Sequence, residues 1–338
     1  MNAMPKVVVI TGASGGVGRA TAREFARQGA DVALLARNVE ALEAARAEVE
    51  ALGRRALVLP VDVADADAVH AAADAAAREL GPIDTWVNNA MVTVVAPVTM
   101  LHERELRRVT EVTYHGTVHG TLAALRHMRP RNQGTIIQVG SALAYRSIPL
   151  QAAYCGAKAA VRAFTDSLRS ELIREGSGVH VTIVHMPALN TPQFEWCRTR
   201  MGLKPQPVAP IFQPEVAARA IAWSARHRRR ELRVGASTVA AVIGQKFAPG
   251  WLDGYLARSG YDGQLSGEPT EPGRRDNLFQ PVPGDPGAHG RFDGRAHARS
   301  PGLRLAMHGR GLGLLALTAL AFAFGRHYRG PRSRPRPG

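Results

Sequence analysis

Tyr154 and Lys158 stand four residues apart in the run QAAYCGAKAAVRAF, Gln151 to Phe164. In a helix that spacing places both side chains on one face, a turn apart. A phenol titrates near pH 10, so at neutral pH it is a poor base unless a cation favours its ionised form. An ammonium one turn away is such a cation. Ser141 lies thirteen residues before the tyrosine, at the end of the apolar run TIIQVG. A strand end and the helix after it can bring hydroxyl, phenol and ammonium together for proton exchange. Taken alone, the pair would be a core tyrosine and a surface lysine. Their weight comes from a second feature upstream.

That feature is TGASGGVG, Thr11 to Gly18, set between the apolar run VVVI and an amphipathic stretch. Gly12, Gly16 and Gly18 let the backbone turn sharply and approach a ligand, and the start of the next helix offers free amides to a pyrophosphate. The second apolar run ends in ALLARN, with Ala36 and Arg37 where a site selecting NAD usually carries a carboxylate. An arginine can grip a 2′-phosphate with a charge-assisted fork, which predicts NADP(H) over NAD(H). Asp62, in LPVDVAD, ends the third apolar run and either holds the adenine amino group or caps the following helix.

From Lys6 to about Val234, short apolar runs alternate with longer amphipathic ones, the pattern of an α/β fold whose parallel sheet is covered on both faces. Strands are predicted at Val7–Ile10, Asp31–Ala36, Ala56–Val61, Thr85–Val87, Thr135–Val139, Val179–Val184 and Leu232–Val234. Helices are predicted at Gly18–Gln28, Val39–Leu52, Asp65–Leu80, Leu101–Met128, Gln151–Glu175 and Glu215–Arg228. The expected divisions are a main domain over 1–235, a helical addition over 236–260, and an irregular linker over 261–302 rich in glycine and proline. A hydrophobic helix with a basic tail follows over 303–338. Its apolar run, Gly311–Gly325, would span about 22 Å as a helix against a hydrocarbon core of roughly 30 Å. Docking on protein and contact with a membrane both remain open for it.

With 338 residues and 45% hydrophobic content the chain can bury a full core. Its only cysteines are Cys155 and Cys197, which excludes a disulfide framework and fits a reducing, cytoplasmic compartment. The start of the sequence lacks the long apolar core of a secretory signal. No metal site is expected. The net charge of +15 is spread along the chain with no basic and aromatic motif, which argues against a nucleic-acid partner.

TGASGGVG, Asp62–Val63, the NNA of Asn88–Ala90, Ser141 and YCGAK together resemble the short-chain dehydrogenase/reductase family in its shorter, classical branch, over about Lys6 to Val234. The resemblance implies a Rossmann-type doubly wound parallel sheet with a C-terminal extension, a small-molecule carbonyl or alcohol substrate, and a homo-oligomer. It makes Tyr154 the general acid in carbonyl reduction and the general base in alcohol oxidation. Lys158 would favour the phenolate and bind the nicotinamide ribose, and Ser141 would hold the substrate oxygen. Cofactor contacts would come from Gly12, Ser14, Gly16, Val17 and Gly18 in the turn, then from Arg37, Asp62, Val63, Asn89 and Ala90. Pro187 and Thr191 would join Tyr154 and Lys158 around the nicotinamide.

The sequence departs from that pattern in three places. Thr113 occupies the position of the asparagine whose carbonyl carries the family's proton relay. Met91 replaces the glycine of NNAG, and HMPALNT replaces a Pro-Gly pair after the sixth strand, with Met186 or Pro187 in the proline's place. In the segment after that strand, Phe194, Trp196, Met201 and Leu203 would cover the substrate, and with Leu143, Tyr145 and Met91 they suggest a hydrophobic alcohol or carbonyl compound. Two rivals stay open. One is a non-catalytic NADP(H)-binding regulatory or scaffold protein. The other is an epimerase or dehydratase of the extended branch, whose TGxxGxxG pattern the turn also satisfies through Gly15.

Overall fold

Continuous runs of valine, isoleucine and leucine make strands that helices can cover on both sides. The computed structural model describes residues 4–308, apart from residue 272. Seven parallel strands form the central sheet: β1 (Val7–Thr11), β2 (Asp31–Ala36), β3 (Ala56–Pro60), β4 (Thr85–Asn88), β5 (Gly134–Ser141), β6 (Val179–Met186) and β7 (Glu231–Arg233). Their order across the sheet is β3, β2, β1, β4, β5, β6, β7. The order reverses between β1 and β4, which opens a crevice at the carboxyl ends of the strands. Strand β5 extends two residues beyond the predicted span, which carries Ser141 into the sheet beside Met186.

The longer helices around the sheet are α1 (Gly16–Arg27), α2 (Val39–Glu50), α3 (Ala66–Leu80), α4 (Glu103–Thr110), α5 (Gly116–Met128), α6 (Ala152–Arg174), α7 (Pro214–Arg226), α8 (Ala236–Phe247) and α9 (Pro249–Ser259). Asn38 and Asp65 start α2 and α3 by accepting hydrogen bonds from the amides of Ala41 and Ala68. One core layer, around Val8, Ile10, Phe25 and Leu34, joins the sheet to helices including α1 and α7. The other, around Val9, Leu35, Trp86 and Ile136, joins it to helices including α3 and α5.

The predicted helix Leu101–Met128 is two helices. A π turn at Glu111–His115 separates α4 from α5, and Thr113 is fully buried in it. The Thr113 hydroxyl donates to the Val92 carbonyl at 3.1 Å and accepts from the Val92 amide at 3.2 Å. A side chain that ties helix to loop in this way holds the widened turn in place.

Segment 261–302 is mostly irregular, yet it lies on the main domain instead of hanging from it. Leu278, Ala288 and Phe292 are buried, as is Leu303 just after the segment. Leu265–Pro269 pairs with Leu203–Pro205, and Ala296–His297 pairs with Ile211–Phe212. Its apolar residues are few, and only some of them are buried. Among the described residues no helix is long and apolar enough to cross a membrane. The run Gly311–Gly325 lies outside them.

Candidate active site

The glycine turn is held by close approach. Gly12 has φ +68°, and a Cβ there would stand 2.8 Å from Ala90 Cα. At Gly18 a Cβ would stand 2.1 Å from the Gly12 carbonyl oxygen, so α1 can follow the turn only with glycine at that point. Asn89 braces the same loop by donating to the carbonyls of Thr11 and Gly12 at 3.0 and 3.1 Å. Asn88 looks the other way, into a buried network with Gln138 and Thr121.

At the end of β5 the Ser141 hydroxyl accepts from the Leu143 amide at 3.1 Å, which leaves its own proton available to a ligand. Tyr154, in the first turn of α6, lies close enough to Ser141 for the serine hydroxyl to favour the ionised phenol. Lys158 is only 2% exposed and donates to the Val139 carbonyl at 2.7 Å. Its Nζ lies 5.7 Å from the centre of the Tyr154 ring.

Burial decides the protonation states. It pushes the Tyr154 phenol well above its ordinary value, with the Ser141 hydroxyl pulling weakly the other way. It pulls Lys158 down to about 8. Lys158 spends a proton on a strand carbonyl, and Tyr154 is held as a neutral acid.

A cavity of about 640 Å³ runs along the carboxyl ends of the strands. Gly12, Ser14, Gly16, Val17, Arg37, Asp62, Val63, Asn89 and Ala90 line one end; Ser141, Tyr154, Lys158, Pro187 and Thr191 line the other. Gly18 and Thr113 stand behind the wall. Met91, Leu143, Phe194 and Trp196 face the cavity, whereas Tyr145, Met201 and Leu203 do not. Tyr145 instead donates to Glu231 at 2.6 Å, and Met201 packs on the cluster of Val95, Leu150 and Cys197. Cys155 is buried, with burial pushing its thiol up, as suits packing.

Two cofactor candidates have partners within the protein. Asp62 pairs with Arg108 and accepts from the Ala64 amide at 3.0 Å. Arg37 donates to the carbonyls of Asn277 at 2.5 Å and Phe279 at 3.0 Å. Asn277, Pro281, Val282 and Pro286 line the cavity too. Sequence reasoning missed these four. The only signal was an isolated LF pair in a stretch of glycine, proline and charge.

Residues 6–200 match the family model described as short chain dehydrogenase. The chain belongs to that family. It is an NAD(P)-binding Rossmann oxidoreductase acting between CH–OH and C=O groups. An uncharacterised oxidoreductase of Bacillus subtilis, YxnA, is 34% identical over 277 residues, 81% of this chain and 78% of its own length. A fatty acyl-CoA reductase of Acinetobacter baylyi is 29% identical over 243 residues, 71% of this chain and 80% of the relative. Among solved structures, an alcohol dehydrogenase of Thermococcus sibiricus complexed with 5-hydroxy-NADP superposes with a TM-score of 0.59 at 27% identity, over 68% of this chain and 95% of that one. A short chain dehydrogenase of Mycobacterium paratuberculosis bound to NAD gives 0.61 at 25% identity, over 68% and 96%.

The residues present fit a nicotinamide dinucleotide. The glycine cradle would be filled by a single Cβ, and the cavity continues from it to the Ser141, Tyr154 and Lys158 side chains.

Proposed function

We propose that the protein is an NADP(H)-dependent oxidoreductase for a hydrophobic carbonyl compound or secondary alcohol. The observation that carries this is the single cavity joining the glycine turn to Ser141, Tyr154 and Lys158. The dinucleotide, when bound, supplies or accepts the hydride. In reduction the Ser141 hydroxyl donates a hydrogen bond to the substrate oxygen, and the Tyr154 phenol, kept protonated by burial, delivers the proton. Lys158, anchored on β5, fixes the end of α6 that presents the phenol. Thr113 is a positioning residue, whose carbonyl accepts from the Thr117 hydroxyl at 3.0 Å. Apolar walls from Met91, Leu143, Phe194, Val208 and Leu256 suit a substrate with a hydrocarbon body.

The choice of NADP(H) rests on charge. Asp62 pairs directly with Arg108 and also faces the half-buried Arg37, so the two guanidiniums share one carboxylate and the cluster keeps a net positive charge for a 2′-phosphate. A homo-oligomer and membrane contact through 311–325 complete the proposal.

The test is loss of NADPH absorbance with ketones and aldehydes of increasing chain length. Tyr154→Phe is expected to lower kcat by about 10²–10⁴-fold while NADPH still binds. Undiminished turnover in that variant would overturn the assignment. Tight NADPH binding with no turnover on any substrate would favour the scaffold reading. A preference for NADH in direct competition would remove Arg37 from its role.

A further inference from the structure

The adenosine half of the cavity has a wall that does not come from the Rossmann core. Segment 276–290 leaves the neighbourhood of Trp196, where the Asn277 amide donates to the Trp196 carbonyl at 2.9 Å, and runs past the ends of β2 and β3. Arg108 donates to the Leu278 carbonyl at 3.0 Å, and the Leu278 side chain is fully buried in the core layer that holds Val61, Val63 and Val112. The Asn38 side-chain amide, at the start of α2, donates to the carbonyls of Val282 at 2.7 Å and Gly284 at 3.0 Å. Asp285 pairs with Arg19, which is itself 3% exposed and also held by Glu48. The Gly16 amide donates to the Gly287 carbonyl at 3.1 Å, and Ala288 packs between Ala20 and Ala218.

The segment thus touches every element that frames the adenosine end, yet it leaves space beneath it. Asn277, Pro281, Val282 and Pro286 face the same cavity as Ser14, Arg37 and Asp62. A plug would have closed that space; a cover would not.

We propose that residues 276–290 are a strap forming the outer wall of the adenosine subsite, so that the dinucleotide is enclosed when bound and exchanges only when the strap lifts. The proposal rests on the dinucleotide reading above. The strap's contacts with the core include charge-assisted hydrogen bonds at Arg19, Arg37 and Arg108, neutral ones from Asn38 and Gly16, and Leu278 as the main apolar anchor. Losing one such contact weakens the closed state without abolishing the fold, because Arg19 keeps Glu48.

The experiment uses the full chain and NADPH fluorescence, with affinity from titration and dissociation from displacement in a stopped flow. Asp285→Asn, which weakens one charge-assisted hydrogen bond, and Leu278→Ala, which removes the apolar anchor, are each expected to speed NADPH dissociation roughly tenfold and to weaken binding. Asp285 is part-exposed, so its variant reports even if Leu278→Ala unfolds. NADPH should also slow amide hydrogen exchange across 277–287 in the unaltered chain. Dissociation and affinity unchanged in both variants would overturn the wall. Tighter binding in either would overturn it in favour of a strap that competes with the cofactor. If the unaltered chain binds neither NADPH nor NADH, the dinucleotide reading falls and takes the wall with it.

Discussion

At the scale of single residues, burial shifts both Tyr154 and Lys158 toward their neutral forms. The four-residue spacing of Tyr154 and Lys158 was legible because helical geometry is local. Their protonation was not, since it depends on how strands and loops close over them. Lys158 is nine-tenths buried with a neutral carbonyl as partner, and its pKa falls from 10.5 to about 8. Between those values the folded chain binds fewer protons than the unfolded one, so stability rises with pH across the window. Replacing the lysine removes this slope. Urea midpoints measured at pH 7.5 and pH 10 should show the unaltered chain gaining on Lys158→Met, by about 1–3 kcal/mol as pH rises. A constant difference between the two would mean that Lys158 is solvated and that its carbonyl partner is not its environment.

At the scale of elements, the alternation of apolar and amphipathic runs was enough for five of the six predicted helices and all seven strands to be placed within a few residues, because each run has one period and one neighbour pattern. The π turn between α4 and α5 escaped, since no glycine or proline interrupts the sequence before Gly116 and the contact from Thr113 to Val92 is a tertiary one. That contact can be removed alone. In Thr113→Val the amide and carbonyl of Val92 lose their buried partner, at a cost of about 1–3 kcal/mol for each group left unpaired. Thr113→Ser keeps the hydroxyl and should restore most of that loss. Thermal unfolding of the three chains checks it: equal midpoints for Thr113→Val and the unaltered chain would mean the turn is set by α5 alone. The strap belongs to this scale as well. Composition averages over 261–302 described a linker, but a wall needs only one buried leucine and a row of backbone carbonyls, and carbonyls are invisible to composition.

At the scale of the whole molecule, the described residues 261–308 lie on the domain, and this changes where the chain can be cut. A cut at Gly260 would strip Leu278, Phe292 and Leu303 from the core. A cut after His308 leaves them in place. Beyond His308 the sequence carries the apolar run Gly311–Gly325 and six arginines with no acidic residue. An apolar stretch flanked by arginine is attracted to a surface of anionic lipid both by burial and by charge. The described part of the chain offers a second apolar feature, the outer faces of α8 and α9, where Ile243, Phe247, Trp251 and Tyr255 are 50 to 77% exposed. Sedimentation with anionic vesicles separates the two. The full chain is expected to sediment with vesicles, less so as salt rises, and the chain ending at His308 is expected to stay in solution. Equal sedimentation of both would move the contact to α8 and α9, which Phe247→Glu with Trp251→Glu would then abolish. If neither chain sediments, the terminal run serves a protein surface, and the basic tail has no role at a membrane.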